Sequence, residues 1–266
     1  MGNMTLGKYL PFDSYIHRLD PRLKIMSLLL LLISVFFDAG FLGYLILGIF
    51  VCVIIKLSNI KVSYILKSLR PMIIMMSFLM ILNIFMIQSG TLLFSIGPIS
   101  VYTGGLIQTA YILIRLILIV ALTTVLTATT KPLDLTLGLE HLFTPFKKFG
   151  FPAHEVSMMI SIALRFIPTL LEETERIMKA QSSRGVDFKE GKLKDKIKAI
   201  VSLIVPLFIS AFQRAEDLAN AMESRGYNPE GKRTRYKLLK WQGADTVSMI
   251  VTVAMCVVVI GLSIIR

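Results

Sequence analysis

Long stretches without a charged residue constrain the fold of this chain more than any other feature. The longest runs from Pro71 to Ile114, and another, Thr246 to Ile265, closes the sequence before Arg266. Overall, 55% of the residues are apolar and 17% are charged, whereas soluble globular domains have about 45–50% and about 25%. This composition excludes a soluble enzyme and a disordered chain, and it indicates several helices in lipid.

Five membrane spans are predicted from the places where charges and glycines interrupt these stretches. The first two are shorter than the roughly 20 residues that a perpendicular span needs, so snorkelling of the flanking lysines and a re-entrant hairpin both stay open. A polar-poor loop that contains Gly97 and Pro98 separates the third span from the fourth. The predicted spans are Ile25–Phe37, Ala39–Ile55, Met72–Gln88, Leu106–Thr127 and Thr246–Ile265.

The distribution of basic residues predicts the orientation of the chain. Lys and Arg are frequent before the first span and between the second and third, whereas the turn after the first span and the loop after the third have none. Because positive charge stays inside, the amino terminus and the region after the fourth span are predicted to be cytoplasmic. The expected architecture is all-α and polytopic: residues 1–128 form a membrane domain of four spans, 129–243 a cytoplasmic helical domain, and 244–266 a final transmembrane helix.

The cytoplasmic region contains an internal repeat. Residues 163–187 align with residues 204–228 at an offset of 41, the difference between Arg184 and Arg225. Each copy has the pattern of one long amphipathic helix. Pro168 and Pro206 fall inside these helices and do not align, and each is predicted to kink its helix and to serve as a hinge. A shorter amphipathic helix, Leu135–Lys148, is predicted before the repeat.

Both copies end in Ser-Arg-Gly, at residues 183–185 and 224–226. Gly185 and Gly226 suit a left-handed helix cap, and an arginine there complements the negative end of the helix dipole. A single copy would favour capping alone. Two copies on similar helices favour arginines presented to a partner, because a guanidinium binds carboxylates and carbonyls at two points.

The pair of motifs in this topology resembles the EcfT family, the transmembrane component of energy-coupling factor (ECF) transporters, also typified by the CbiQ subunit of cobalt importers. In that family two coupling helices end in an Ala-Arg-Gly-like motif, and each arginine enters a groove on one of two ATP-binding-cassette subunits. Both motifs here differ at the first position, where serine replaces alanine. The resemblance covers the whole chain and implies that six residues bind the ATPases: Ser183, Arg184, Gly185, Ser224, Arg225 and Gly226.

The resemblance also implies the remaining partners. A substrate-binding membrane subunit, the S component, would bind the apolar faces of the coupling helices at Val156–Leu171 and Leu203–Phe212, and helix 135–148 would be the first of three coupling helices. ATP and Mg would be bound by the ATPases, so that this subunit needs no cofactor and is not an enzyme. The expected role is uptake of vitamins or other micronutrients across the cell membrane of a bacterium, and a module dedicated to cobalt or nickel is the alternative.

Two functions of other classes stay open. A self-contained secondary transporter needs ionisable residues near the bilayer midplane, and the only candidates are Arg115 and the turn residue Asp38. Arg115, in the fourth span, is expected to face another helix, a headgroup or a bound protein, with snorkelling as the simpler explanation. A structural scaffold, which recruits a soluble partner without transducing energy, would share the arginine sites.

The sequence contains no phosphate loop, zinc-binding histidine motif or serine elbow, so no catalytic residue and no metal ligand is predicted.

The formal net charge is +12, and the excess basic residues are predicted to bind the membrane surface rather than nucleic acid. Basic clusters beside membrane spans normally bind anionic lipid headgroups. One cluster lies between the repeats and the other precedes the last span. Their residues are Lys189, Lys192, Lys194, Lys196 and Lys198, and Lys232, Arg233, Arg235, Lys237 and Lys240.

Overall fold

The computed structural model describes residues 9–87, 89–96, 99–145, 152–188, 192–228 and 239–265. The chain divides into two compact units. Of the described residues, 9–142 and 239–265 form the membrane unit, and those between 143 and 228 form the two-helix unit. Gly97, Pro98, Arg266 and five residues of the basic clusters lie outside the described residues; the five are Lys189, Lys232, Arg233, Arg235 and Lys237.

The described part of the membrane unit is almost entirely helical. A 3-10 turn, Arg70–Met72, joins α4 to α5, and two short strands pair between α5 and α6. Its helices are α1 Tyr15–Arg18, α2 Pro21–Phe36, α3 Gly40–Leu57, α4 Val62–Leu69, α5 Ile73–Met86, α6 Thr103–Thr129, α7 Pro132–Phe143 and α10 Gly243–Ile265, and its strands are β1 Leu92–Ile96 and β2 Ile99–Tyr102.

The predicted all-α, polytopic membrane class is confirmed. Within the described residues, four helices are long and apolar enough to cross a membrane: Gly40–Leu57, Val62–Met86, Thr103–Thr129 and Gly243–Ile264. They correspond to the second to fifth predicted spans. The helix at the first predicted span, α2, has 16 residues, which gives about 24 Å of helix at ~1.5 Å per residue and is shorter than a ~30 Å hydrocarbon core.

Two connections differ from the sequence-based expectation. The third span begins ten residues before Met72, at Val62, because Pro71 is accommodated in a 3-10 turn and does not end the helix. The segment predicted as a loop before the fourth span contains an antiparallel hairpin, with Leu92 opposite Tyr102. Its apolar, uncharged residues favour strand pairing, which satisfies backbone groups that a loop would leave to solvent.

Helices α2, α3, α6 and α10 form the core of the membrane unit. Polar contacts at one end of this bundle fix the direction of three of them. The amide of Asp20 donates to Asp245 Oδ1 at 2.8 Å, and Lys24 Nζ donates to the carbonyl of Thr129 at 3.2 Å. The starts of α2 and α10 and the end of α6 therefore lie on the same side, in agreement with the predicted order of crossings. That this side faces the cytoplasm stays a prediction.

Helix α7 belongs by its contacts to the membrane unit. Gly138 lies against the beginning of α2, where an added Cβ would be 3.1 Å from Ile25 Cδ1 and 3.2 Å from Pro21 Cβ. Its buried residues are Thr136, Gly138 and Glu140. The helix thus packs on α2 through its small and polar side rather than through its leucines. The part of the predicted helix from Phe146 to Lys148 lies outside the described residues.

Candidate functional site

The candidate site is the two-helix unit, formed by α8, Ala153–Ser183, and α9, Leu193–Ser224. These are the two longest helices of the described chain, with 31 and 32 residues. Both continue through their internal prolines, Pro168 and Pro206, so neither proline ends a helix. A hinge at these positions stays a prediction.

The end of α8 has the hydrogen bonds of a Schellman cap. The amide of Val186 donates to the carbonyl of Gln181 at 3.0 Å, and the amide of Gly185 donates to the carbonyl of Ser182 at 3.0 Å. Gly185 has φ +89°, in the left-handed region where a residue with a side chain is strained. Arg184 is the C-cap residue. The predicted left-handed glycine is confirmed at the first motif.

The end of α9 repeats this geometry. The amide of Tyr227 donates to the carbonyl of Met222 at 3.0 Å, and the amide of Gly226 donates to that of Glu223 at 2.8 Å. Gly226 has φ +70°. Arg225 is the C-cap residue. The second motif is therefore a structural copy of the first, and we call the two helix ends the arginine tips: residues 181–187 and 222–228.

The serines and arginines of the tips have different local roles. Ser183 Oγ donates to the carbonyl of Lys179 at 3.1 Å, and Ser224 Oγ donates to that of Asn220 at 2.7 Å. Both hydroxyls are thus bound within their own helix. Arg184 and Arg225 are exposed, and within the described chain neither guanidinium has a carboxylate within 4.0 Å. The tips therefore present two arginines whose donors are available to a partner.

Helices α8 and α9 pack in an antiparallel sense. Tyr227, at the end of α9, donates its hydroxyl to Met158 Sδ near the start of α8 at 3.3 Å. At the other end, Val186 and Ala199 line one cavity between the end of α8 and the start of α9. The two arginine tips consequently lie at opposite ends of the pair.

The residues that lie near each other at the two ends of the pair are equivalent under the repeat. Met158 and Ala199 are 41 residues apart, as are Val186 and Tyr227. Equivalent positions of the two copies thus lie near each other at both ends of the pair, as a direct contact at one end and around one cavity at the other. The pair therefore has approximate two-fold symmetry, and the sequence offset alone did not reveal this arrangement.

One apolar stripe on α9 lacks a cover in the described chain. Its members recur every three or four residues and so lie on one face of the helix. Each is more than half exposed: Ile197, Ile200, Val201, Ile204, Val205, Phe208, Ile209 and Phe212. Met159 and Ile160 on α8 are exposed as well. A continuous apolar surface of this length marks contact with protein or lipid, and it extends the predicted region 203–212 towards the start of α9.

Arg115 is engaged with neighbouring helices of the membrane unit. Its Nε and Nη2 donate to Tyr44 Oη at 3.2 and 2.7 Å. Its guanidinium carbon lies 5.7 Å from the centre of the Phe36 ring. Tyr44 is buried and stacks on Tyr111 with ring centres 5.5 Å apart. The expectation that Arg115 faces a partner helix agrees with these contacts, and Tyr44 is a partner that the sequence pattern did not indicate.

The fold and these tips define a polytopic α-helical membrane protein that carries an antiparallel pair of arginine-tipped helices. The CbiQ family, described as "Cobalt transport protein", matches residues 12–236. The chain is 47% identical over 258 residues to the energy-coupling factor transporter transmembrane protein EcfT of Bacillus subtilis (strain 168), covering 96% of this chain and 97% of that protein.

Two further relatives have the same description. The protein of Macrococcus caseolyticus (strain JCSC5402) is 42% identical over 98% of this chain and 99% of its own length. That of Lactococcus lactis subsp. cremoris (strain MG1363) is 44% identical over 98% of each chain. The chain belongs to the CbiQ/EcfT family, and it is the transmembrane component of an energy-coupling factor transporter.

Proposed function

We propose that α8 and α9 transmit the conformational changes of two ABC-type ATPase subunits to a substrate-binding S component. The observation that carries this proposal is the pair of arginine tips, which have the same cap, the same exposure and opposite positions on an antiparallel helix pair. Two copies of one docking element suit two similar partners. In this assembly the chain is a non-catalytic lever, and ATP with Mg is bound and hydrolysed by the ATPases.

Each tip binds one ATPase through its arginine. Arg184 and Arg225 project from rigid caps, because the flanking amides and serine hydroxyls are already bonded within the helix. The caps fix the backbone from which each arginine extends, and the planar guanidinium can bond a carboxylate or carbonyl pair at two points. We expect the tips to lie in the cytoplasm, where ATP is available, and the distribution of basic residues predicts a cytoplasmic amino terminus as well.

The S component binds the apolar stripe of α9 together with the exposed apolar residues of α8. When the ATPases close on ATP, they move the two tips, and the helices reorient the attached S component, bending at Pro168 and Pro206. The cargo is a vitamin or another micronutrient selected by the S component. A self-contained transporter has less support, because Arg115 already donates to Tyr44.

Charge reversal at the tips tests the docking role. In the complex extracted with mild detergent, Arg184→Glu and Arg225→Glu each should lose one ATPase contact and weaken copurification, since one tip remains. The double variant should lose both ATPases and all ATP-dependent uptake while keeping the S component. The amounts of each subunit are measured by native mass spectrometry.

Lys179→Glu is the matched control, because Lys179 is an exposed cation of α8 outside the cap. It should leave the subunit composition unchanged. A double tip variant that still assembles with two ATPases and transports would refute the docking role of the arginines.

A further inference from the structure

A charged contact joins the middle of α8 to the middle of α9. Arg214 Nη2 donates to Glu173 Oε2 at 3.4 Å. The two residues are 41 positions apart, which is the offset of the repeat. Glu173 and Arg214 are therefore equivalent positions of the two copies that contact each other. In a pair with approximate two-fold symmetry, equivalent residues meet only at the symmetry axis.

Equal arms extend from this contact to the tips. Arg184 lies eleven positions after Glu173, and Arg225 lies eleven positions after Arg214. At a rise of ~1.5 Å per residue, each arm is about 16 Å long. The Tyr227–Met158 contact lies on one side of the Glu173–Arg214 contact, and the cavity lined by Val186 and Ala199 lies on the other. Rotation of the helices about the central contact would move both arginines by the same amount.

The Glu173–Arg214 contact is less exposed to solvent than the contact that Arg176 makes with the same carboxylate. The Glu173 side chain is 18% exposed and that of Arg214 is 38% exposed. By contrast, Arg176 approaches the same carboxylate at 3.8 Å with 77% of its side chain exposed, and pairs of that kind contribute little. Arg214 Nε is buried and has no partner in the described chain, so loss of Glu173 would leave a partly buried cation without its carboxylate, which is unfavourable.

We propose that Glu173 and Arg214 form the fulcrum of the helix pair: a positioning contact that fixes the point where α8 and α9 cross, so that the two arginine tips keep a defined separation and move symmetrically. The contact does not itself touch an ATPase or the cargo. The effect of the fulcrum on transport rests on the function proposed above, whereas its effect on the geometry of the tips does not.

Distance measurements on the full chain in lipid nanodiscs test the geometric part. Spin labels are attached at Lys179→Cys and Asn220→Cys, which are equivalent exposed positions near the tips, after Cys52 and Cys256 are replaced by serine. All variants carry Arg176→Gln, so that Arg176 cannot replace or repel the exchanged charges. The parent should give one narrow distance distribution. Glu173→Arg and Arg214→Glu should each broaden or shift it, and the charge-exchanged double variant should restore it.

Transport by the complete complex tests the consequence. The single variants keep both arginine tips, so both ATPases should copurify, while uptake per ATP hydrolysed should fall by roughly 5-fold or more, the usual lower range of coupling between sites. The double variant should recover most of the loss. Glu175→Arg is the control, because Glu175 is an exposed carboxylate of the same helix, and it should change neither readout. Glu173→Gln provides a milder variant if charge reversal prevents folding.

The two proposals fail in different ways. If Glu173→Arg or Glu173→Gln leaves the distance distribution unchanged, or if the double variant does not restore it, the fulcrum is refuted. Absence of both ATPases from the parent complex would refute the docking function and leave the distance result intact. If the distances respond as expected but uptake per ATP does not change, the contact is only structural, and its role in coupling is refuted.

Discussion

At the scale of single residues, the glycines of the tips hold the arginines in place through backbone conformation alone. Gly185 and Gly226 have φ of +89° and +70°, and no atom lies within 4 Å of a Cβ added at either position. Alanine there would meet no steric obstacle but would carry the left-handed penalty of about 1–2 kcal/mol. The strain would break the hydrogen bonds of the cap, and the neighbouring arginine would no longer be held in one orientation.

We therefore predict that Gly185→Ala and Gly226→Ala weaken association of the ATPases without lowering the stability of the membrane unit. Hydrogen exchange should become faster at the amides of residues 185 and 186 in the first variant, and copurified ATPase should decrease. Gly243→Ala is the control, since Gly243 also has free space around its Cβ position but lacks a positive φ. Unchanged exchange and unchanged assembly in both tip variants would contradict the role of the caps.

At the scale of helices, Arg115 ties α6 to α3 inside the membrane unit. Tyr44→Phe should remove the acceptor of two guanidinium N–H groups at an otherwise unchanged ring. A charged group that loses its partner in a partly buried site destabilises by about 1–3 kcal/mol, so the thermal midpoint in detergent should decrease. Tyr111→Phe keeps the stacked ring and the Arg115 contacts and should have a smaller effect. Equal midpoints for Tyr44→Phe and the parent would contradict this account.

The apolar stripe of α9 gives a second prediction at this scale. Phe212→Asp places a charge within the stripe and should reduce copurification of the S component, because a buried unpaired carboxylate is costly at an interface. The ATPases should remain bound, since both tips are intact. Gln213→Asp introduces the same carboxylate on the adjacent exposed position off the stripe and should have little effect. Equal loss of the S component in both variants would argue against the stripe as its binding surface.

These helices also show what the sequence can predict. The ends of α8 and α9 follow from local signals, because a Schellman cap depends on glycine and on a few consecutive residues. The contacts Arg115–Tyr44 and Glu173–Arg214 depend on how two helices are aligned, and periodicity within one helix carries no information about that alignment. The repeat nevertheless gives one indication of the second contact, because Glu173 and Arg214 occupy equivalent positions and have opposite charges, which favours contact between the copies.

The difference between local signals and contacts between segments also explains why the start of the third span and the hairpin were not predicted. The end of the charged stretch at Arg70 places the start of the third span at Met72, but a 3-10 turn carries Pro71 within a continuous helical segment from Val62 to Met86. The hairpin of β1 and β2 has a short uncharged sequence without clear alternation. Its pairing depends on two segments meeting across a turn, and the glycines and proline between α5 and α6 indicate only a break.

At the scale of the whole molecule, the chain consists of a membrane unit and a two-helix unit, and the proposed function assigns the role of a lever to the two-helix unit. The bundle of α2, α3, α6 and α10 has its own core, whereas α8 and α9 expose an apolar stripe and two arginine tips. This division suits a subunit of a transporter that gains its remaining contacts from partners. An independent transporter would instead be expected to bury its long helices around a polar pathway.

The most direct test is uptake by vesicles of defined composition. The account predicts that vesicles with this chain and its S component alone accumulate no substrate, and that ATP-dependent uptake begins only when both ATPases are added on the side of the arginine tips. Uptake should disappear again with the double variant Arg184→Glu and Arg225→Glu. Sustained transport by the purified chain without ATPases would contradict the lever mechanism.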